Sequence, residues 1–216
     1  MRFPVSLAVM VAGVMGCAAP AGAQGPPPRI GPFVVDLRAT VPLFPNDVPQ
    51  LADSRALQPA ELPGQGFGGQ VGVHVYLFRW KALTLGVGGE ATVALASSAP
   101  PPDSGSTQRP VTERFISAAP QVSFNFGTGR GWSYLSGGVG RSVWSLHESG
   151  LLDSGADVEP LQTINYGGGA RWFIKNHLAF SLDVRIYEVQ PGTPVLPNPG
   201  SPRTRLMIVG AGISLK

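Results

Sequence analysis

Eight stretches of this chain alternate apolar and polar residues with period two, and the connections between them are alternately short and long. Period two means strands with two unlike faces. From Phe33 to Val41 the odd positions are all apolar, while Asp36, Arg38 and Thr40 occupy even ones. The second segment sets Phe67, Val71, Val73, Val75 and Leu77 against Gln70, His74 and Tyr76. The third opposes Leu83, Leu85, Val87, Ala91, Val93 and Leu95 to Thr84, Glu90 and Thr92. Ile116, Ala118, Val122, Phe124 and Phe126 form the fourth apolar face, opposite Ser117, Gln121, Ser123 and Asn125. The sixth and seventh put Arg171, and then Asp183 and Arg185, opposite aliphatic and aromatic rows, and the eighth runs from Met207 to Leu215. The fifth, Trp132 to Trp144, is ambiguous; because Arg141 shares the odd face with Leu135, Val139 and Val143, that face is assigned inward.

Short connections lie at 79–82, 127–131 and 175–177, and long ones at 42–66, 97–113, 145–160 and 188–202. Most of the 22 prolines fall in the long connections, where they cost no ladder hydrogen bond. Strands of roughly 9 to 13 residues suit a tilted bilayer crossing. Lipid offers no hydrogen-bond partners, so only a sheet closed on itself crosses without orphaned backbone groups. The pattern therefore predicts an all-β, closed eight-stranded antiparallel up-and-down transmembrane barrel over residues 30–216. Its turns would be periplasmic and its long loops extracellular.

Charge counting assigns the faces. Asp36, Glu90 and Asp183 share the polar rows with Arg38, Arg171 and Arg185, a balanced set almost without lysine. With Gln70, His74, Tyr76, Gln121 and Asn125 they are expected to fill the interior, which eight strands leave only wide enough for side chains. His74 is placed to pair with Asp36 on the neighbouring strand. A wide pore is not expected. Trp80, Phe126, Trp132, Trp172 and Phe173, in or beside the short connections, are expected to form a girdle at headgroup depth. The competing arrangement is a soluble, lipocalin-like barrel that binds a small apolar ligand, with the same aromatics plugging one end.

The first residues point to export. Arg2, the apolar run Val5–Ala19 and Ala21-Gly22-Ala23 describe a signal peptide over 1–23. Residues 24–29 then form a short tail. Val14-Met15-Gly16-Cys17 offers a second reading, in which Cys17 is lipidated.

Other classes find little support. Only 13% of residues are charged and the net charge is +3, with basic residues scattered, so no nucleic-acid footprint exists. The single cysteine excludes a disulfide framework, and no Cys/His cluster has zinc spacing. Gly64-x-Gly66-x-x-Gly69 does not sit between a strand and a helix, as a dinucleotide site requires. No cofactor is expected. A lipid-modifying barrel enzyme would need a nucleophile, histidine and acid together, and His74, His147 and His177 fall in three different places. The long loops carry apolar residues (Leu43, Phe44, Val48, Leu51, Leu57, Leu62, Val195, Leu196) that solvated loops do not require. These residues are expected to pack against one another or against an extracellular partner, in a non-enzymatic monomer set in outer-membrane lipid.

The stretch Pro120-Gln121-Val122-Ser123-Phe124-Asn125-Phe126-Gly127, continuing into Gly131-Trp132-Ser133-Tyr134-Leu135, resembles the small bacterial outer-membrane β-barrels of the OmpA transmembrane-domain type. So do Leu178–Arg185 and Val209–Leu215. The resemblance implies outer-membrane localisation and a structural or surface-interaction role. Such barrels usually end in an aromatic residue that the assembly machinery reads; here Leu215-Lys216 stands instead.

Overall fold

The computed structural model describes residues 29–99 and 109–216; the proposed signal peptide, Cys17 and most of the following tail lie outside them. Eight strands close into one barrel, each hydrogen-bonded to the next and β1 to β8. They are β1 (Phe33–Leu43), β2 (Gly66–Trp80), β3 (Leu83–Ser98), β4 (Val111–Thr128), β5 (Gly131–Glu148), β6 (Leu161–Lys175), β7 (Leu178–Val189) and β8 (Thr204–Leu215). All pairings are antiparallel. Three tight turns join β2–β3, β4–β5 and β6–β7 on the side that also carries the start of β1 and the end of β8. Gly127, with φ +143°, supplies the left-handed backbone of the β4–β5 turn.

The aliphatic rows point outward. Leu37, Val73, Val87, Val122, Leu135, Val184 and Val209 are all exposed, whereas Asp36, Arg38, Arg171 and Arg185 are at most 2% accessible. A soluble barrel holding an apolar ligand has the reverse arrangement. This one is built to stand in hydrocarbon.

β4 and β5 are 18 residues long, where roughly 9–11 suffice to cross a bilayer. Their upper parts therefore stand above the hydrocarbon, and there the alternation inverts. In Val111-Thr112-Glu113-Arg114-Phe115 the odd residues are buried and mainly apolar, while Thr112 and Arg114 face outward. Tyr187 and Val189 turn inward around Glu188, as do Leu206 and Ile208 around Met207. Water is outside at this level, so the greasy face moves to the inside. The regions assigned as long connections thus begin as strand, at Ser97–Ser98, Val111–Glu113, Ser145–Glu148 and Glu188–Val189.

The parity of β5 is corrected by the structure. Its even face, with Trp132, Tyr134, Ser136 and Trp144, points inward, and Leu135 and Val139 point to lipid. Arg141 does face outward with them, but near the outer end, where its guanidinium donates to the Pro160 carbonyl at 3.1 Å.

Val122 lies near the middle of the apolar belt, and Ser133 lies outward near the short turns. Val122→Arg is expected to cost ~2–4 kcal/mol in unfolding from phospholipid vesicles, and Ser133→Arg ~0–1. Equal costs at both positions would mean that water, not lipid, touches this surface.

Candidate functional site

Every strand sends side chains into the lumen, where they meet in three layers. At the mouth beside the short turns, Trp132 stacks on Phe173 with centroids 5.0 Å apart, and Tyr76 meets Trp132 edge-on at 5.8 Å. Ile30 and Val34 pack against them, and the Lys216 ammonium lies 3.8 Å from the Phe173 ring centroid. Trp132 and Phe173 therefore do not belong to the girdle assigned to them. Trp132 is buried and Phe173 half-buried; an inward-facing ring at a strand end satisfies its amphipathic character against other rings and a cation instead of lipid headgroups. Trp80, Phe126 and Trp172 are exposed at this end of the outer wall, on the face the girdle requires.

The middle layer is ionic. Asp36 accepts two bonds from Arg171, at 2.9 Å from Nε and 2.5 Å from Nη2, and pairs with Arg38 at 3.0 Å. The Ser214 hydroxyl also donates to it. Arg38 donates to Gln70 at 3.1 Å and to the Tyr134 hydroxyl at 3.0 Å, and Tyr134 in turn donates to Asp183 at 2.5 Å. Arg185 sits between Asp183 at 3.3 Å and Glu90 at 3.1 Å, and also donates to Ser136 at 2.8 Å. Glu90 accepts from Tyr187 at 2.9 Å. Asn165 accepts from Arg185 and from Gln121, while Asn125 donates to Ser123 and to the Thr84 carbonyl. The Arg171 guanidinium lies 4.0 Å from the Tyr134 ring centroid. Bidentate and charge-assisted bonds of this kind are the strongest available to a buried network.

Two members of the polar set stand apart. Asp36 is already taken by two arginines, so His74 does not pair with it; neither ring nitrogen of His74, nor the Tyr76 hydroxyl, has a hydrogen-bond partner. Tyr76 serves through its ring, on Trp132.

The outer layer is apolar; the sequence marks the loop's share of it, Phe44, Leu51, Leu57 and Leu62, but sequence reasoning missed the barrel wall on which they pack. Phe115 meets Trp144 at 5.6 Å and Tyr187 at 5.2 Å, and Phe44 packs on Trp144 at 5.9 Å. Leu146, Leu161, Val189, Leu206 and Ile208 complete the wall. Into it the loop between β1 and β2 lowers Leu51, Ala52, Leu57 and Leu62, carried by the short helix α1 (Pro49–Asp53) and a 3-10 turn at Pro59–Glu61. Glu113, buried here, accepts from the Trp144 indole at 2.8 Å.

A buried ion pair fastens this lid. Asp157, in the helical turn α2 (Gly155–Val158) of the β5–β6 loop, accepts from Arg55 Nε at 3.0 Å, the Leu146 amide at 2.9 Å, and the Ser154 amide and hydroxyl at 2.9 and 2.5 Å. Burial alone pushes this carboxyl up, but the Ser154 and Leu146 hydrogen bonds and the Arg55 charge outweigh it and hold it below the ordinary carboxylate value. Ser154-x-x-Asp157 is a recognisable cap signature, yet nothing local names Arg55, 102 positions away, as the partner. The loops between β5–β6 and β7–β8 are tied as well, since Thr193 donates to Glu159 through its amide and hydroxyl.

Ser145, His147 and Asp153 also meet outside the barrel. Ser145 Oγ lies 3.1 Å from His147 Nδ1, and Asp153 Oδ1 lies 3.4 Å from the same nitrogen. A nucleophile–base–acid relay uses opposite ring nitrogens, and Ser145 is wholly buried; the trio braces the loop. Among the described residues no group of three or more His, Cys, Asp and Glu could hold a metal ion.

No known protein family matches the sequence, and no curated protein matches it. Solved structures share its fold. The crystal structure of Neisserial surface protein A covers 86% of this chain and 97% of its own, at 14% identity and a TM-score of 0.55. The outer membrane protein OprG from Pseudomonas aeruginosa (8% identity, 87% and 97% covered, TM-score 0.49) and the outer membrane enzyme PagL (13%, 85% and 99%, 0.47) are also similar. The chain has the fold of the small, OmpA-like eight-stranded barrels, and its lipid-facing belt belongs in the bacterial outer membrane.

Proposed function

We propose that this chain is a non-enzymatic structural and surface-interaction protein, closed along its axis and working through its extracellular end. The observation that supports the proposal is that side chains meet across the lumen at three levels: the Trp132–Phe173 stack, the Asp36–Arg171 layer and the lid on Trp144. Moving an ion along the axis would separate buried, paired charges, which costs several kcal/mol per charge. The outer end, in contrast, presents Leu152 and Leu196 at 94% and 91% exposure, beside Leu151 and Val195 at the rim of a cleft of about 280 Å³. Apolar side chains held out in water on braced loops are features of an interaction surface.

Vesicles carrying the purified protein are expected to be no more permeable to ions and small sugars than protein-free vesicles. Steady unitary conductance would overturn the closed reading. Cells displaying the chain are expected to adhere to protein-coated surfaces more than cells displaying Leu152→Ser/Leu196→Ser, and equal adhesion would overturn the surface role.

A further inference from the structure

The lipid-facing wall is not uniform. Near the extracellular ends of β1–β4 it carries a shallow groove of about 560 Å³ lined by Val41, Phe67, Leu95, Ser97, Thr112 and Gln65. Register explains the hollow. Phe67, Leu95 and Arg114 stand in one outward row across β2, β3 and β4, with Val41 of β1 beside them on the groove's apolar wall. One step further out, the positions hold only Ser97 and Thr112, paired with each other, and Gln65. Large apolar side chains thus give way to small polar ones along the strand direction, beside an arginine.

We propose that this groove seats one acyl chain of a lipid A-type glycolipid of the outer leaflet, with Arg114 holding its phosphate. Three observations fix the occupant. The groove's inner wall, Val41, Phe67 and Leu95, continues the apolar belt, so hydrocarbon reaches it from below, while Ser97 and Thr112 stand at its watered outer edge. Its polarity rises toward the extracellular end, in the order of an outer-leaflet amphiphile from chain to headgroup. The Arg114 guanidinium is 40% exposed, and among the described residues its one ion pair is with Asp153, at 3.0 Å and itself 32% exposed. An exposed pair of this kind is weak, and a phosphate offers the guanidinium a bidentate partner in its place.

The test uses the folded full-length protein, stripped of lipid in non-ionic detergent and offered equal amounts of lipid A and phosphatidylglycerol, with adducts counted by native mass spectrometry. A one-to-one lipid A adduct is expected to dominate. Ser97→Trp, which fills the hollow, and Arg114→Gln, which removes the cation, are each expected to lower it ~tenfold, the equivalent of one good interaction. Ser133→Trp, outward at the opposite end, is expected to leave it unchanged. The proposal is overturned if Ser97→Trp and Ser133→Trp retain lipid A alike, or if phosphatidylglycerol is held as well as lipid A. Gel migration before and after boiling reports folding. Should Ser97→Trp fail to fold, Arg114→Gln against Arg141→Gln, another outward arginine of this wall, decides the matter: equal loss from both overturns the site.

Discussion

Asp36→Ala is expected to destabilise the barrel by ~3–5 kcal/mol, the usual cost of removing one partner from a buried ion pair. The middle layer holds three carboxylates and three guanidiniums, and Asp36 alone answers two of the latter. Without it Arg171 and Arg38 remain buried against Asp183 and Glu90, which already share Arg185. The layer then carries an uncompensated positive charge. Asp36→Ala combined with Arg171→Leu restores the balance, so the double variant is expected to lose less than the sum of the two single losses. That coupling distinguishes a charge network from simple packing. Urea unfolding of the four proteins in one detergent measures it. A loss below ~1 kcal/mol for Asp36→Ala, the scale of an ordinary hydrogen bond, would mean that water replaces the carboxylate and that the lumen is wetter than its packing indicates.

The sequence disclosed this layer because charge on a strand that is otherwise aliphatic has nowhere to go but the far face. Asp36 and Arg38 in β1, and Asp183 and Arg185 in β7, each sit two apart between greasy neighbours. Residues compatible with both sides are not legible in this way. Trp132 at a strand end suits a headgroup girdle and a lumen stack equally; only closure of the barrel brings Phe173 and Tyr76 against it. Arg141 misled because a cation on an outward face is costly in hydrocarbon but free above it. The loop's apolar residues stand out in the sequence, but the wall that receives them does not, for a related reason: the alternation rule inverts where the strand leaves the bilayer. Phe115, Leu146 and Val189 mark that crossing. The lid itself depends on Arg55 meeting a carboxylate from a different loop, a tertiary match that no period records.

Asp157→Ala is expected to free that lid while leaving the barrel folded. The carboxylate receives four hydrogen bonds and ties together the β1–β2 loop, the β5–β6 loop and the β5 backbone. Losing it leaves Arg55, whose side chain is 5% exposed, as a buried cation whose remaining bonds run to Ser54 and to the Trp144 and Ala156 carbonyls. The lid then opens to hydrate that charge, at a local cost lowered by ~3–5 kcal/mol. Trypsin cleavage after Arg55 is expected to accelerate by ~10²-fold or more if cleavage follows the open population. Permeability should not change, because the Asp36–Arg171 layer below stays filled; a current in this variant would make the lid the true barrier. The pH dependence has a definite sign. A carboxyl held below its ordinary value contributes stability that is fully present above the unfolded pKa of about 3.9 and is lost as pH falls through the lower folded value. Amide exchange in Leu51–Leu57, corrected for intrinsic rate, is therefore expected to show lid protection at pH 5 that is lost in stronger acid. Asp157→Asn, which cannot ionise, is expected to lose this acid step, and a step that survived in it would assign the titration to another group.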